Sequence, residues 1–265
     1  MNRPLGQAQF RPTAADFFAR NRGGGLFTET INQRVGAVAA VAAHRLRLAP
    51  SALTLINLTL GLAASALVTG LAPAAARDDV PAWLVGVGAL LAWQLAYSLD
   101  CADGQLARVT GMAGPAGARV DVLCDVAVQI SLVIAISATA VAQEPATPTW
   151  LVALFAGAWM INLVTSVMAS GAAAASLMTS TSLPIRVLKL ARDYGAVVTA
   201  CGLVIAFVPS WTPWLMAAFA TVNSLFLLAS IGQSVRKAGL VAAPDDQAVA
   251  VPDGSLVAAP DDSRQ

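Results

Sequence analysis

The amino-acid sequence predicts an all-α integral membrane protein: six transmembrane helices with an N-terminal interfacial amphipathic helix. Three observations lead there. The chain is 57% hydrophobic and only 12% charged, with a mean hydropathy of +0.68, outside the range of an ordinary soluble domain. Its uncharged stretches reach the roughly 20 residues that a helix needs to cross the hydrocarbon core. Its cations also fall almost entirely on one side once those stretches are taken as alternating spans. A net charge of +1 gives no reason to expect nucleic acid as a partner.

Residues 1–25 lack the apolar core and small-residue cleavage site of a signal peptide, so they read as a retained N-terminal extension with the mature chain starting at Met1. From 26 to 48 the apolar residues recur at helical spacing with Arg34, Arg45 and Arg47 among them, and Thr28 or Thr30 is placed to cap the helix. Such a helix lies along the membrane interface or packs against the bundle, and both options stand at this point.

A six-helix membrane domain is expected over 49–235. Its first span runs from about Ser51 to Leu71, the second from Val80 to Leu99, and the third from the Asp121/Asp125 region to about Ala142. The fourth covers about Trp150 to Ala172 and leads into the polar segment SLMTSTSLP. Pro-Ser-Trp-Thr-Pro at 209–213 divides the last uncharged stretch into spans from Tyr194 to Val208 and from Trp214 to Ile231.

Of the sixteen Lys and Arg residues, seven precede the first span, two lie between spans two and three, three between four and five, and three after six. Only Arg77 falls on the other side. Both termini and the 2–3 and 4–5 loops are therefore expected in the cytosol, in an inner or cell membrane of bacterial type. The tail, 236–265, is rich in Ala, Pro and Asp and is expected to be disordered.

The chemistry concentrates in DCADGQLARVTGMAGPAGARVDVLCD, from Asp100 to Asp125. If the second span stays helical here, Asp100, Asp103, Gly104 and Ala107 lie within about 60° of one line. Gly117, Asp121 and Asp125 follow at spacings of four and form one stripe on the third helix. TGMAGPAG is a natural reversal. An antiparallel hairpin would then bring four carboxylates together, with Gly104, Ala107 and Gly117 letting the backbones approach closely.

Four carboxylates crowded at a membrane boundary repel one another, and cations are the compensation these residue types point to. Hard oxygen ligands with no histidine or paired cysteine nearby indicate two Mg²⁺ or Mn²⁺ ions, which suit phosphoryl-type transfer. The bland reading is a set of helix-end acids paired with Arg108 and Arg119. Four acids at these spacings count against it.

The pattern D-x2-D-G-x2-A-R-x8-G-x3-D-x3-D is present without a gap. Eight fixed positions arise by chance on the order of once in 10⁹ to 10¹⁰ windows. It is similar to the signature of the CDP-alcohol phosphotransferase family, and the resemblance extends over about 26 to 235. It implies a cytidine-diphosphate-linked donor, expected to be CDP-diacylglycerol, attack by the hydroxyl of a small polar alcohol on the β-phosphorus, and release of CMP in phospholipid biosynthesis.

By the same resemblance, Asp100, Asp103 and Asp121 hold one metal, while Asp100, Asp121 and Asp125 hold or approach the second. Asp125 is the general base. Gly104, Ala107 and Gly117 belong to the donor site, where the first two leave room for the cytidine, and Arg108 contacts the diphosphate. The family's Pro-Asn-x-x-Thr-like donor contact reads Pro50-Ser51-Ala52-Leu53-Thr54, with Ser51 in place of the usual Asn or Asp. Gly114 stands where many relatives have Ser or Thr.

Arg119 inside the signature, and Arg186 and Lys189 with Arg192 in the 4–5 loop, are candidates for binding an anionic acceptor such as inositol phosphate or glycerol phosphate; positive-inside topology and headgroup contact are the simpler account of each residue taken singly. A choline- or ethanolamine-type enzyme using diacylglycerol as acceptor is the variant within the family. A divalent-cation carrier is the rival from another class, and it predicts acids near mid-bilayer on broken helices. Cys101, Cys124 and Cys201 are expected as free thiols, His44 as a surface residue, Trp93 and Trp159 as packing residues, and Trp83, Trp150, Trp211 and Trp214 as interface anchors. The Ala/Gly-rich patches suit helix packing or a homodimer interface.

Overall fold

The computed structural model describes residues 12–21, 23–168 and 190–241. The SLMTSTSLP segment, Arg186, Lys189 and the tail beyond Val241 lie outside the described residues. Every described element is helical. They are α1 (Ala14–Phe18), α2 (Gln33–Arg45, entered through a π-helical turn at Thr28–Asn32), α3 (Pro50–Ala76), α4 (Ala82–Thr110), α5 (Pro115–Gln143), α6 (Thr149–Met168), α7 (Tyr194–Phe207) and α8 (Thr212–Val241). A compact unit ends at Leu227, and the second unit, from Leu228, is helical through Val241.

Four stretches are long and apolar enough to cross a bilayer: α3, α4, α5 and Pro209–Arg236. They coincide with the first, second, third and sixth spans expected from the sequence. Over its described residues α7 is a shorter apolar helix of 14 residues.

Local chemistry sets the helix ends. Pro50 occupies the first turn of α3, where its missing N–H costs nothing, after an extended Ala49. The second span does not stop at Leu99: α4 runs on to Thr110, so Asp100 through Arg108 are all helical. Gly111 then caps α4 in the left-handed region (φ 71°), and Pro115 opens α5.

The expected close hairpin is corrected. α3 packs along both α4 and α5, whereas α4 and α5 make almost no backbone contact with each other. A Cβ at Gly117 would meet nothing within 4 Å, and one at Gly104 would meet the guanidinium of Arg108 rather than α5. The close approaches fall elsewhere. A Cβ at Gly86 would collide with the backbone of Ala206, one at Gly202 would come within 2.6 Å of Leu90, and one at Gly61 within 2.7 Å of Val128. Glycines therefore seat α4 on α7 and α3 on α5, and α3 holds the two aspartate-bearing helices apart.

The main core joins α3 through α8. Trp93 and Trp159 are both 2% exposed within it, and Trp159 stacks on Phe219 with ring centroids 4.9 Å apart. Their indole N–H groups are satisfied by Ser65 Oγ (3.1 Å) and Gln129 Oε1 (2.9 Å). Trp83, Trp150, Trp211 and Trp214 are exposed. The three cysteines are unpaired, and His44 is exposed.

Just before α7, Arg192 Nε donates to Asn162 Oδ1 (3.1 Å) and Asn223 Oδ1 (3.3 Å), and its Nη2 donates to Thr165 Oγ1 (2.5 Å). The guanidinium also lies 3.4 Å from the Phe226 ring centroid. Burial pushes Arg192 down to about 10, which leaves it charged at neutral pH. This arginine staples α6 to α8.

A second, smaller cluster docks the N-terminal region. Within the expected N-terminal extension, α1 inserts Phe17, fully buried, against Ala37, Ala40, Leu53 and Leu106. α2 presents the small stripe Gly36, Ala37, Ala40 and Ala43 to α4 and leaves Ile31, Val35 and Val38 exposed.

Neither Thr28 nor Thr30 caps this helix through its side chain. Asp193 does so from 165 residues away, where Oδ2 accepts the N–H groups of Phe27 (2.8 Å) and Thr28 (3.1 Å), and Oδ1 accepts the Thr28 hydroxyl (2.5 Å). The same carboxylate caps α7 through Gly195 N–H at 3.1 Å. One buried aspartate thus ends two helices at once.

Candidate active site

Asp100 and Asp103 lie one turn apart on α4, and Asp121 and Asp125 one turn apart on α5. One carboxylate oxygen from each of Asp100, Asp103 and Asp121 lies within 4.8 Å of the other two. The carboxyl of Asp125 lies beside that of Asp100. Two carboxyl groups in contact need a proton or a cation between them. The four aspartates singled out by spacing are therefore gathered in one place, across the gap that α3 keeps open.

α3 contributes polar groups to that gap. Thr54 Oγ1 donates to Asp103 Oδ2 at 2.5 Å, and Asn57 Nδ2 donates to Asp100 Oδ1 at 3.2 Å. Sequence reasoning missed Asn57. Its signal is an amide three residues after Thr54 on an otherwise apolar face. It also missed that both tyrosines of the chain meet at the base of the site: Tyr97 and Tyr194 are edge to face at 4.7 Å, and Tyr97 Oη lies 3.2 Å from Thr28 Oγ1.

The remaining candidates are dispersed around the mouth. Arg108 folds over Gly104, and its Nε donates to the carbonyl of Arg20 at 2.6 Å. Ala107 is half-buried one turn beyond Asp103. Gly117 and Arg119 are exposed on the first turns of α5, and Ser51 is exposed at the start of α3, one turn before Thr54. Thr54 spends its hydroxyl on Asp103. Arg186 and Lys189 fall outside the described residues.

The chemistry of this donor set fits a hard divalent cation. Three carboxylate oxygens converge at a spacing that one ion can bridge, and Asp121 Oδ1 is buried with no hydrogen-bond partner among the described residues. A buried carboxylate oxygen without a protein donor, on a residue whose carboxylate lies close to two others, is suited to ligate a cation.

The sequence model of the CDP-alcohol phosphatidyltransferase family matches residues 47–229, a range that contains all of α3 to α7 and every aspartate of the cluster. No curated protein matches the chain.

Proposed function

The chain belongs to the CDP-alcohol phosphatidyltransferase family, phosphotransferases that act in the membrane on a CDP-linked donor and an alcohol acceptor, and on that premise we propose that it moves a phosphatidyl group from CDP-diacylglycerol to a small polar alcohol, releasing CMP. The observation that carries the proposal is the convergence of Asp100, Asp103 and Asp121 within 4.8 Å, with Asp125 beside Asp100.

Asp100, Asp103 and Asp121 would hold one divalent ion and Asp100, Asp121 and Asp125 a second, Mg²⁺ or Mn²⁺. When bound, such ions neutralise charge on the diphosphate and on the departing phosphate. Arg108, with Gly104 and Ala107 on the same face, and the exposed Gly117 and Ser51 receive the donor, while Thr54 acts on it through Asp103. Asp125 takes the proton of the acceptor hydroxyl. As the new oxygen–phosphorus bond forms at the β-phosphorus, the bond from that phosphorus to the bridging oxygen breaks, and CMP leaves with the electron pair.

The acceptor is a phosphorylated polyol, for which Arg119, Arg186 and Lys189 supply countercharge. Six spans with both termini and the site in the cytosol, and α2 resting in the interface through Ile31, Val35 and Val38, let a lipid donor and a soluble acceptor reach one cluster. A cation carrier is disfavoured because α4 and α5 run unbroken through all four aspartates.

The test is incubation of purified protein with labelled CDP-diacylglycerol, Mg²⁺ or Mn²⁺ and a panel of alcohols. CMP release is expected with a phosphorylated polyol. No CMP with any acceptor, and no reverse reaction from CMP and phospholipid, would overturn the reading.

A further inference from the structure

Asn57 is 2% exposed about two turns into an apolar helix. A buried amide in a membrane segment is costly unless its hydrogen bonds are made, and such residues are seldom there for packing alone. Here the bond goes to Asp100, while one turn earlier Thr54 holds Asp103. The two pairs are in antiparallel register: Thr54 with Asp103, then Asn57 with Asp100.

The aspartates of α5 are treated differently. Among the described residues no side chain of α3 donates to Asp121, and its Oδ1 stays unpartnered. The α4 carboxylates are therefore set before any ligand arrives, while Asp121 on α5 is left for the ligand to satisfy.

Resting on the metal-cradle reading above, we infer that Asn57 is a positioning residue, whose amide N–H pins one oxygen of Asp100 so that the other is presented to a divalent cation. An amide is suited to this. It donates without adding charge, so it orients the carboxylate and leaves its negative charge for the ion. Partners that hold a ligating carboxylate typically change metal affinity about 10–100-fold when removed.

The test measures Mn²⁺ binding to detergent-purified full-length protein, without substrates, from the paramagnetic resonance signal of the free ion. Asn57→Leu removes the donor at similar volume. Asn57→Ser is the second variant, since a serine hydroxyl can satisfy itself on the carbonyl four residues earlier and does not reach Asp100. Ser65→Ala, which removes the partner of Trp93 deeper on α3, controls for general loosening of the helix.

Both Asn57 variants are expected to bind Mn²⁺ roughly tenfold or more weakly, and their CMP release to recover as metal is raised; Ser65→Ala keeps wild-type affinity. Wild-type affinity in Asn57→Ser, or an equal loss in Ser65→Ala, overturns the positioning role alone. A wild-type protein that binds no Mn²⁺ overturns the cradle and this role together.

Discussion

Asp125→Asn is expected to lower turnover by roughly 10²–10⁴-fold, the range for removing a positioned general base, while affinity for a CDP-lipid analogue stays within a few-fold of wild type. Asparagine has the shape of aspartate and can donate to the neighbouring Asp100 carboxylate, but its amide cannot accept the proton of an alcohol. The oxygens of Asp100, Asp103 and Asp121 that converge within 4.8 Å remain in place. Single-turnover CMP release and equilibrium donor binding separate the two effects. Parallel loss of both would make Asp125 a metal-retention residue rather than the base.

Asp100→Ala is the second large effect, because Asp100 is where the site's contacts cross: it belongs to the three-carboxylate group, lies beside Asp125 and accepts from Asn57. Turnover should fall by about 10³-fold or more, the scale of losing several kcal/mol of metal-ion stabilisation. Stability should move the other way or not at all. Removing one of four crowded buried charges relieves repulsion and desolvation, so the metal-free variant is expected to melt no lower than metal-free wild type. Turnover within tenfold of wild type would show that the cluster is not the metal site.

The parts of the site that depend on spacing along one helix were legible in the sequence. Residues at i and i+3 or i+4 share a face whatever packs against it, so the pairing of Asp100 with Asp103, and of Asp121 with Asp125, follows from spacing alone. The contact between those helices does not. Glycine and alanine mark where a close approach is allowed, not which neighbour makes it, and here Gly61 and Gly86 meet α5 and α7 while α3 separates α4 from α5.

Contacts across long separations were equally hidden. The cap on the amphipathic helix comes from Asp193, and the grip on Asp100 from Asn57 on the preceding span. Phe17 lay within the expected N-terminal extension and was not singled out, because one buried aromatic in five helical residues leaves no periodicity to read.

Two cations held between α4 and α5 are the centre of the proposed chemistry. Their most direct test is an experimental structure of the protein with Mn²⁺ and a CDP-linked lipid, with anomalous difference density collected at the manganese edge. Two peaks are predicted, both bounded by Asp100 and Asp121, one reached by Asp103 and the other by Asp125. A single peak away from these carboxylates, or none while CDP is bound, would contradict it.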